Sequence, residues 1–189
     1  MKLDIMVLEG VVLLPKSVVP LNIFEPRYRK MLHDSLEGGR TFALGNLIDQ
    51  RPARYIGVGL IQSSLQHKDG TYQLILEGVD RYRIERILAT DPVLRGECEK
   101  VETQPRNSED QAMRANVKKI VHTIIENYPQ VAESLSEIFD DELDDSDFCD
   151  LTGGILVGDS RVKQKLLETE SVEKRLTLLH NFLDTARLT

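Results

Sequence analysis

Val18-Val19-Pro20-Leu21-Asn22-Ile23-Phe24-Glu25-Pro26-Arg27-Tyr28-Arg29-Lys30-Met31-Leu32-His33-Asp34-Ser35-Leu36-Glu37-Gly38-Gly39 decides the fold of this 189-residue chain. It begins as an apolar strand-like run, stops sharply at Pro26, and continues as a helix-like run ending in two glycines. Pro26 suits the first turn of a helix, where its missing N–H has no intrahelical partner to lose. Tyr28, Met31, Leu32 and Leu36 recur at helical spacing and form one apolar face. Gly38-Gly39 predicts a left-handed stop. The segment therefore joins a strand to a helix.

Around this joint the first hundred residues read mainly as strands. Val11-Val12-Leu13-Leu14 and Val18-Val19 are short apolar runs broken by Pro15 and Pro20. Thr41-Phe42-Ala43-Leu44 with Leu47-Ile48 predicts another strand, and Tyr55 to Leu65 a further one. Gly57 and Gly59 inside it predict a bulge or bend, as closure of a small barrel requires. Asp69-Gly70 predicts a type I′ hairpin turn between arms Ile56–Gln66 and Tyr72–Glu77. A separate strand is predicted over Arg81–Leu88, with Tyr82 and Ile84 on one face and Arg81, Arg83 and Glu85 on the other. Arg95–Val101 closes the series.

Beyond Pro105 the pattern turns helical and acidic. Residues 1–106 carry 15 Lys+Arg against 14 Asp+Glu, whereas residues 107–189 carry 9 against 17. Ser108 and Gln111 have capping-box spacing. Met113, Val117, Ile120, Val121, Ile124 and Tyr128 then form one stripe limited by Pro129. Residues 130–158 read as shorter helices with turns at Gly153-Gly154 and Gly158. Val162, Leu166 and Leu167 mark another helix. Ser171 is placed to cap the last, whose face is Val172, Leu176, Leu179, Phe182, Leu183 and Ala186. The fold class is α+β: a β subdomain over 1–106 with one inserted helix, then a helical bundle over 107–189.

Composition excludes several functions. Neither half has the basic excess of a nucleic-acid binder. Arg81, Arg83 and Arg86 are interleaved with Glu77, Asp80 and Glu85, and tryptophan for base stacking is absent. Cys98 and Cys149 show no CxxC spacing, which fits two thiols in a reducing compartment, so the cytoplasm is expected. Acids at Asp4 and Glu9 interrupt any secretory core, and no run approaches the ~18 apolar residues of a membrane span. Gly57-x-Gly59 lacks the third glycine of a dinucleotide fingerprint. His33, His67, His122 and His180 are dispersed, with no metal-ligand spacing. The seven acids between Asp140 and Asp150 lack the central glycine and terminal glutamate of a calcium loop, and read as a solvated acidic loop capping the next helix. No cofactor, metal or catalytic residue is expected.

Four stretches stand in an order that resembles the N-terminal domain of Lon proteases. They are Leu13-Leu14-Pro15 with Val19 to Tyr28; Ile56-Gly57-Val58-Gly59 with Asp69-Gly70; Glu77-Gly78-Val79-Asp80-Arg81-Tyr82-Arg83-Ile84; and Lys165-Leu166-Leu167-Glu168 with Val172-Glu173-Lys174-Arg175-Leu176. The resemblance covers roughly residues 3–187 and is nearest to stand-alone members of the family. It implies a PUA-like β-barrel followed by a helical bundle, and a role in recognising unfolded polypeptides or adaptor proteins. The family's ATPase and Ser–Lys peptidase activities are not expected of this chain, which has no phosphate-cradling Gly-x-x-x-x-Gly-Lys-Ser/Thr loop. PUA-like barrels also include RNA binders, which makes nucleic acid the alternative ligand. At the seam of strand and helix, Phe24, Glu25, Arg27, Tyr28 and Met31 are the candidate partner-binding residues. The opposing reading packs Tyr28 and Leu32 into the core and pairs Glu25 with Arg27 locally.

Overall fold

The computed structural model describes residues 1–106 and 112–186, and the predicted capping box at Ser108–Gln111 lies outside them. The chain divides into two compact units, Met1–Val101 and Glu102–Thr189.

The first unit holds strands β1 (Lys2–Glu9), β2 (Val18–Ile23), β3 (Thr41–Ile48), β4 (Arg51–Pro52), β5 (Tyr55–Gln66), β6 (Tyr72–Ala89) and β7 (Leu94–Lys100), and helix α1 (Pro26–Glu37). The pairing path runs β1-β7-β6-β5-β3, and β3 pairs back onto β1 in parallel. Five strands thus form a closed ring of pairings, which leaves none of them with two open edges. Leu3, Ile5, Ala43, Ile56, Val58, Ile84, Leu94 and Cys98, drawn from all five strands, pack together in one buried cluster. A second cluster sits on the other side of the same strands. There Met6, Phe42, Leu44, Leu74 and Leu76 meet Tyr28, Met31 and Leu32 of α1. Successive residues of β1 and β3 therefore enter opposite cores, which is why Ile5-Met6-Val7-Leu8 and Phe42-Ala43-Leu44 are consecutive apolar residues and do not alternate with polar ones.

Glycines allow this double packing. β6 is one strand of 18 residues where the sequence reading placed two. A register shift leaves Val79 as the extra residue between the Gly59–Gly78 and Val58–Asp80 pairs. That bulge changes the face of every later residue, so Leu74 and Leu76 enter the α1-side core while Ile84 enters the other. Residues Val12–Leu14, predicted as strand, form none. They cross the sheet as a buried segment over Gly57 and Gly78. Lys16 N–H donates to the Gly78 carbonyl, and Gly78 N–H to the Ser17 carbonyl, both at 2.8 Å. A side chain at either glycine would occupy the crossing chain's place.

Two turn predictions and one strand-face prediction are corrected in this unit. In the β5–β6 hairpin only Gly70 is left-handed (φ 80°), so the turn is not type I′, which needs two such residues. Asp69 instead accepts hydrogen bonds from the Thr71 N–H and hydroxyl, at 3.0 and 2.7 Å. After α1 the left-handed residue is Arg40 (φ 56°), not a glycine; its N–H donates to the Ser35 carbonyl at 2.8 Å. Arg81, predicted to share a face with Arg83 and Glu85, is buried while Glu85 is exposed, because the bulge lies just before it.

The second unit holds α2 (Ala112–Asn127), α3 (Ala132–Leu135), α4 (Asp145–Leu156), α5 (Ser160–Glu168) and α6 (Val172–Ala186). α6 packs against α2, α4 and α5. Val117, Ile120, Val121, Leu166, Leu167, Val172, Leu176, Leu179 and Leu183 of the predicted stripes are buried, Met113, Ile124, Val162 and Phe182 are half-buried, and Phe148 of α4 is a buried residue that no stripe included. Tyr128 leaves its stripe and is exposed, since α2 has already ended. Gly153-Gly154 makes no turn but lies inside α4. That helix is held by its buried face and by the Asp144 cap, whose carboxylate accepts from Asp147 N–H at 2.8 Å, a contribution of about 1 kcal/mol. Ser171 sits at the start of α6, its hydroxyl accepting from Lys174 N–H at 3.4 Å.

The acidic run is the solvated loop expected only in its first half, where Asp140, Asp141, Glu142 and Asp144 are exposed. Asp144 does cap α4, but Asp145 bridges Arg106 and Arg114 at 2.9 and 3.0 Å, and Asp150 is buried against Arg175 at 3.0 Å. Local composition reads as exposed charge because the arginines that neutralise it lie 25 or more residues away.

Candidate functional site

Helix α1 turns one side toward the core and leaves a flank open. Tyr28 and Leu32 face inward, while Arg27, Lys30, Met31 and Asp34 form the neighbouring stripe at three- and four-residue spacing. Opposite that stripe lies the β6–β7 connection, with Ala89, Asp91, Pro92, Val93 and Arg95. Between them is a cleft of about 510 Å³, within the range of ligand sites. Met31, Pro92 and Val93 give it apolar walls. Met31 is buried and belongs to the α1-side core, against which Val93 also packs, so these walls are backed by the core.

The rim is charged but largely self-neutralised. Arg27 pairs with Glu25 at 2.8 Å and lies over the Tyr28 ring, 4.5 Å from its centroid. Lys30 meets Asp34 at 3.1 Å, one helical turn on. Arg95 donates twice to Asp4, through Nε at 2.5 Å and Nη2 at 2.8 Å, and this bond holds its guanidinium above the usual arginine range.

The five candidate residues separate in space. Arg27 and Met31 line the cleft. Glu25 stands behind Arg27 as its ion-pair partner. Tyr28 is buried, with its hydroxyl 3.4 Å from the Val7 nitrogen and 3.3 Å from the Val7 oxygen, a structural anchor. Phe24 is 67% exposed at the end of β2 and does not line the cleft. Nor does it line a second groove of about 470 Å³ on β2, β5 and β6, walled by Pro20, Leu65 and Ile75 among polar residues. The sequence reading missed the Asp91-Pro92-Val93 wall. Its one local signal was an apolar residue placed directly after a proline inside a strand connection.

Other chemistry is poorly provided for. Arg83 is bonded to Glu85 and lies 2.9 Å from Glu99, while Arg86 lies 2.9 Å from Glu97, so the arginine stripe is matched by glutamates. Among the described residues no three His, Cys, Asp or Glu side chains converge to hold a metal ion, and no helix is long and apolar enough to cross a membrane. Cys98 is buried in the ring's core, and burial pushes its thiol up from the ordinary cysteine value. A thiol kept protonated is a poor nucleophile. Iodoacetamide at neutral pH is therefore expected to alkylate Cys98 and Cys149 at least about tenfold more slowly in the native chain than in denaturant. Equal rates would show that the two sulfurs are accessible.

Comparison with known proteins places this architecture. Residues 2–185 match the family model described as ATP-dependent protease La (LON) substrate-binding domain. Among curated relatives, Lon protease 2 of Sorangium cellulosum is 26% identical over 193 aligned residues, which cover 93% of this chain and 23% of that protein. Lon protease of Syntrophus aciditrophicus is 25% identical, over 92% of this chain and 24% of its own length. The chain thus spans about a quarter of the length of these relatives. Among solved structures, the N-terminal domain of Lon protease from the Mycobacterium avium complex superposes with a TM-score of 0.79 at 19% identity, covering 97% of this chain and 98% of that one. A Lon N-terminal domain protein from Xanthomonas campestris gives 0.70 at 23% identity, over 95% and 96% of the two chains. The fold is shared with both, and the family match extends over nearly every residue: this chain belongs to the substrate-binding domain family of the ATP-dependent protease La (Lon).

Proposed function

We propose that the chain is a non-catalytic recognition module that binds unfolded polypeptide segments, or adaptor proteins presenting such segments, in the cytoplasm, and passes them to a protease. In this reading the closed ring of pairings is a PUA-like barrel within residues 1–106. The cleft along α1 is the binding site, and Arg27 and Met31 are the two of the five candidate residues that form it. Glu25 and Tyr28 hold Arg27 in place, and Phe24 offers a second apolar contact outside the cleft.

The observation that carries the proposal is the cleft's construction: apolar walls backed by a packed core, under a rim whose cations already have carboxylate partners. Such a site gains affinity by burying an apolar side chain and has little net charge with which to attract nucleic acid. Burial of one leucine- or phenylalanine-sized side chain contributes about 1.5–3 kcal/mol. Taken alone that gain corresponds to a Kd on the order of 10 mM, so a single segment is expected to bind only weakly. Unfolded chains carry many such segments, so a long polypeptide gains further by rebinding.

The test is fluorescence anisotropy with a labelled, reduced and carboxymethylated polypeptide. Binding by the native chain is expected, with at least a tenfold loss in Ala89→Trp, which narrows the cleft from an exposed lining position. Absence of binding by the native chain, or undiminished binding by a folded Ala89→Trp variant, would overturn the reading.

A further inference from the structure

The cleft's charges are not evenly matched. Its three rim cations are engaged: Arg27 with Glu25, Lys30 with Asp34, and Arg95 with Asp4. Asp91, on the opposite wall and exposed, has neither a cation nor an N–H donor among the described residues. A second carboxylate is only weakly committed. The Lys30–Asp34 pair joins side chains that are 75% and 55% exposed, and a pair of that kind is readily exchanged for another cation. The empty cleft therefore presents an apolar floor beside one uncompensated carboxylate and one replaceable pairing, with no cation left over.

From this charge complementarity we propose that the cleft selects extended segments in which a lysine or arginine stands next to the apolar residue. The apolar side chain enters between Met31 and Val93, and the basic side chain reaches Asp91. The basic neighbour gains an ion pair that the bound segment partly shields from water. An acidic neighbour would meet Asp91 with no free cation to offset it. This inference rests on the cleft being the binding site and specifies its substrate class.

The probes are three labelled nonapeptides of Gly and Ser with a central leucine, flanked by lysine, by serine or by glutamate. Anisotropy titrations would use the full chain, Asp91→Asn and Asp91→Lys, with the carboxymethylated polypeptide as a reference. The native chain is expected to bind the lysine-flanked peptide about fivefold more tightly than the serine-flanked one, and the glutamate-flanked one most weakly. Half-molar salt should shrink the difference, because the Debye length falls to a few ångströms. Asp91→Asn should remove the preference, and Asp91→Lys should reverse it. Equal affinities of the native chain for the three peptides, or a preference that survives in Asp91→Asn, would overturn the inference while leaving the proposed function standing. Failure to bind both the peptides and the reference polypeptide would remove the proposed function, and this inference with it.

Discussion

Replacing Arg175 with methionine is expected to cost the helical unit about 3–5 kcal/mol of stability, the largest loss foreseen for any substitution of a polar residue in this chain. The side chain is fully buried on α6. Its Nη1 donates to both carboxylate oxygens of Asp150 on α4 at 3.0 Å. Its Nη2 donates to Ser146 Oγ at 3.1 Å and to Thr103 Oγ1 at 3.4 Å. Removing the guanidinium leaves the Asp150 charge uncompensated in the interior. The pair is not a source of net stability in itself, since taking both charges out of water costs several kcal/mol per ion and Arg175 Nε has no partner among the described residues. Its role is to fix which residues of α4, α6 and the Thr103 segment face one another. The double variant Arg175→Met with Asp150→Leu is thus expected to recover most of the loss. Urea unfolding followed by circular dichroism measures both. A single-variant cost below about 1 kcal/mol would show that the charge is solvated rather than buried.

Gly78→Ala and Gly57→Ala are expected to be as damaging in the first unit, for a steric reason. A Cβ at Gly78 would sit 2.0 Å from the Leu14 carbonyl oxygen, and one at Gly57 would sit 2.1 Å from that of Leu13. Both obstacles are backbone atoms in a segment held on each side. Leu13 and Leu14 are fully buried, and the following turn is clipped by the two hydrogen bonds between Gly78 and residues 16–17. Ser17 Oγ also donates to the Leu14 carbonyl at 2.7 Å and accepts from the Leu14 N–H at 3.0 Å. The crossing segment cannot retreat without surrendering these bonds and opening the core beneath it. A loss of about 3 kcal/mol or more is expected for each substitution. Gly158→Ala is the control, because nothing lies within 4 Å of a Cβ built there. It should change stability by less than about 0.5 kcal/mol. Equal melting temperatures for Gly78→Ala and Gly158→Ala would contradict the packing described.

How much of this was legible depended on whether the signal was local. The start of α1 was, because a proline at the first helical position and apolar residues at Tyr28, Met31 and Leu32 lie within one short stretch. Gly57 was legible as a bend, but not as the site of a chain crossing, since Leu13 approaches from more than forty positions earlier. The parallel pairing of β1 with β3 left no local trace, because the paired residues lie more than thirty positions apart. Half of the candidate site followed the same rule. Arg27 and Met31 were named from the helix pattern, whereas the Asp91–Val93 wall comes from another part of the chain brought alongside it. Arg175 carried a readable clue that the sequence reading passed over. It falls three residues after Val172 and four before Leu179, within the apolar stripe of α6, where a charge requires a buried partner.

The central claim is that the flank of α1 and the β6–β7 connection form a polypeptide-binding cleft. A ¹H–¹⁵N correlation titration of the full labelled chain with the lysine-flanked leucine peptide tests it most directly. Saturable shifts are expected, concentrated in the amides of Arg27–Asp34 and of Ala89, Asp91 and Val93 to Arg95. Shifts confined to the outer face of β2, β5 and β6, or to the helices of the second unit, would contradict it.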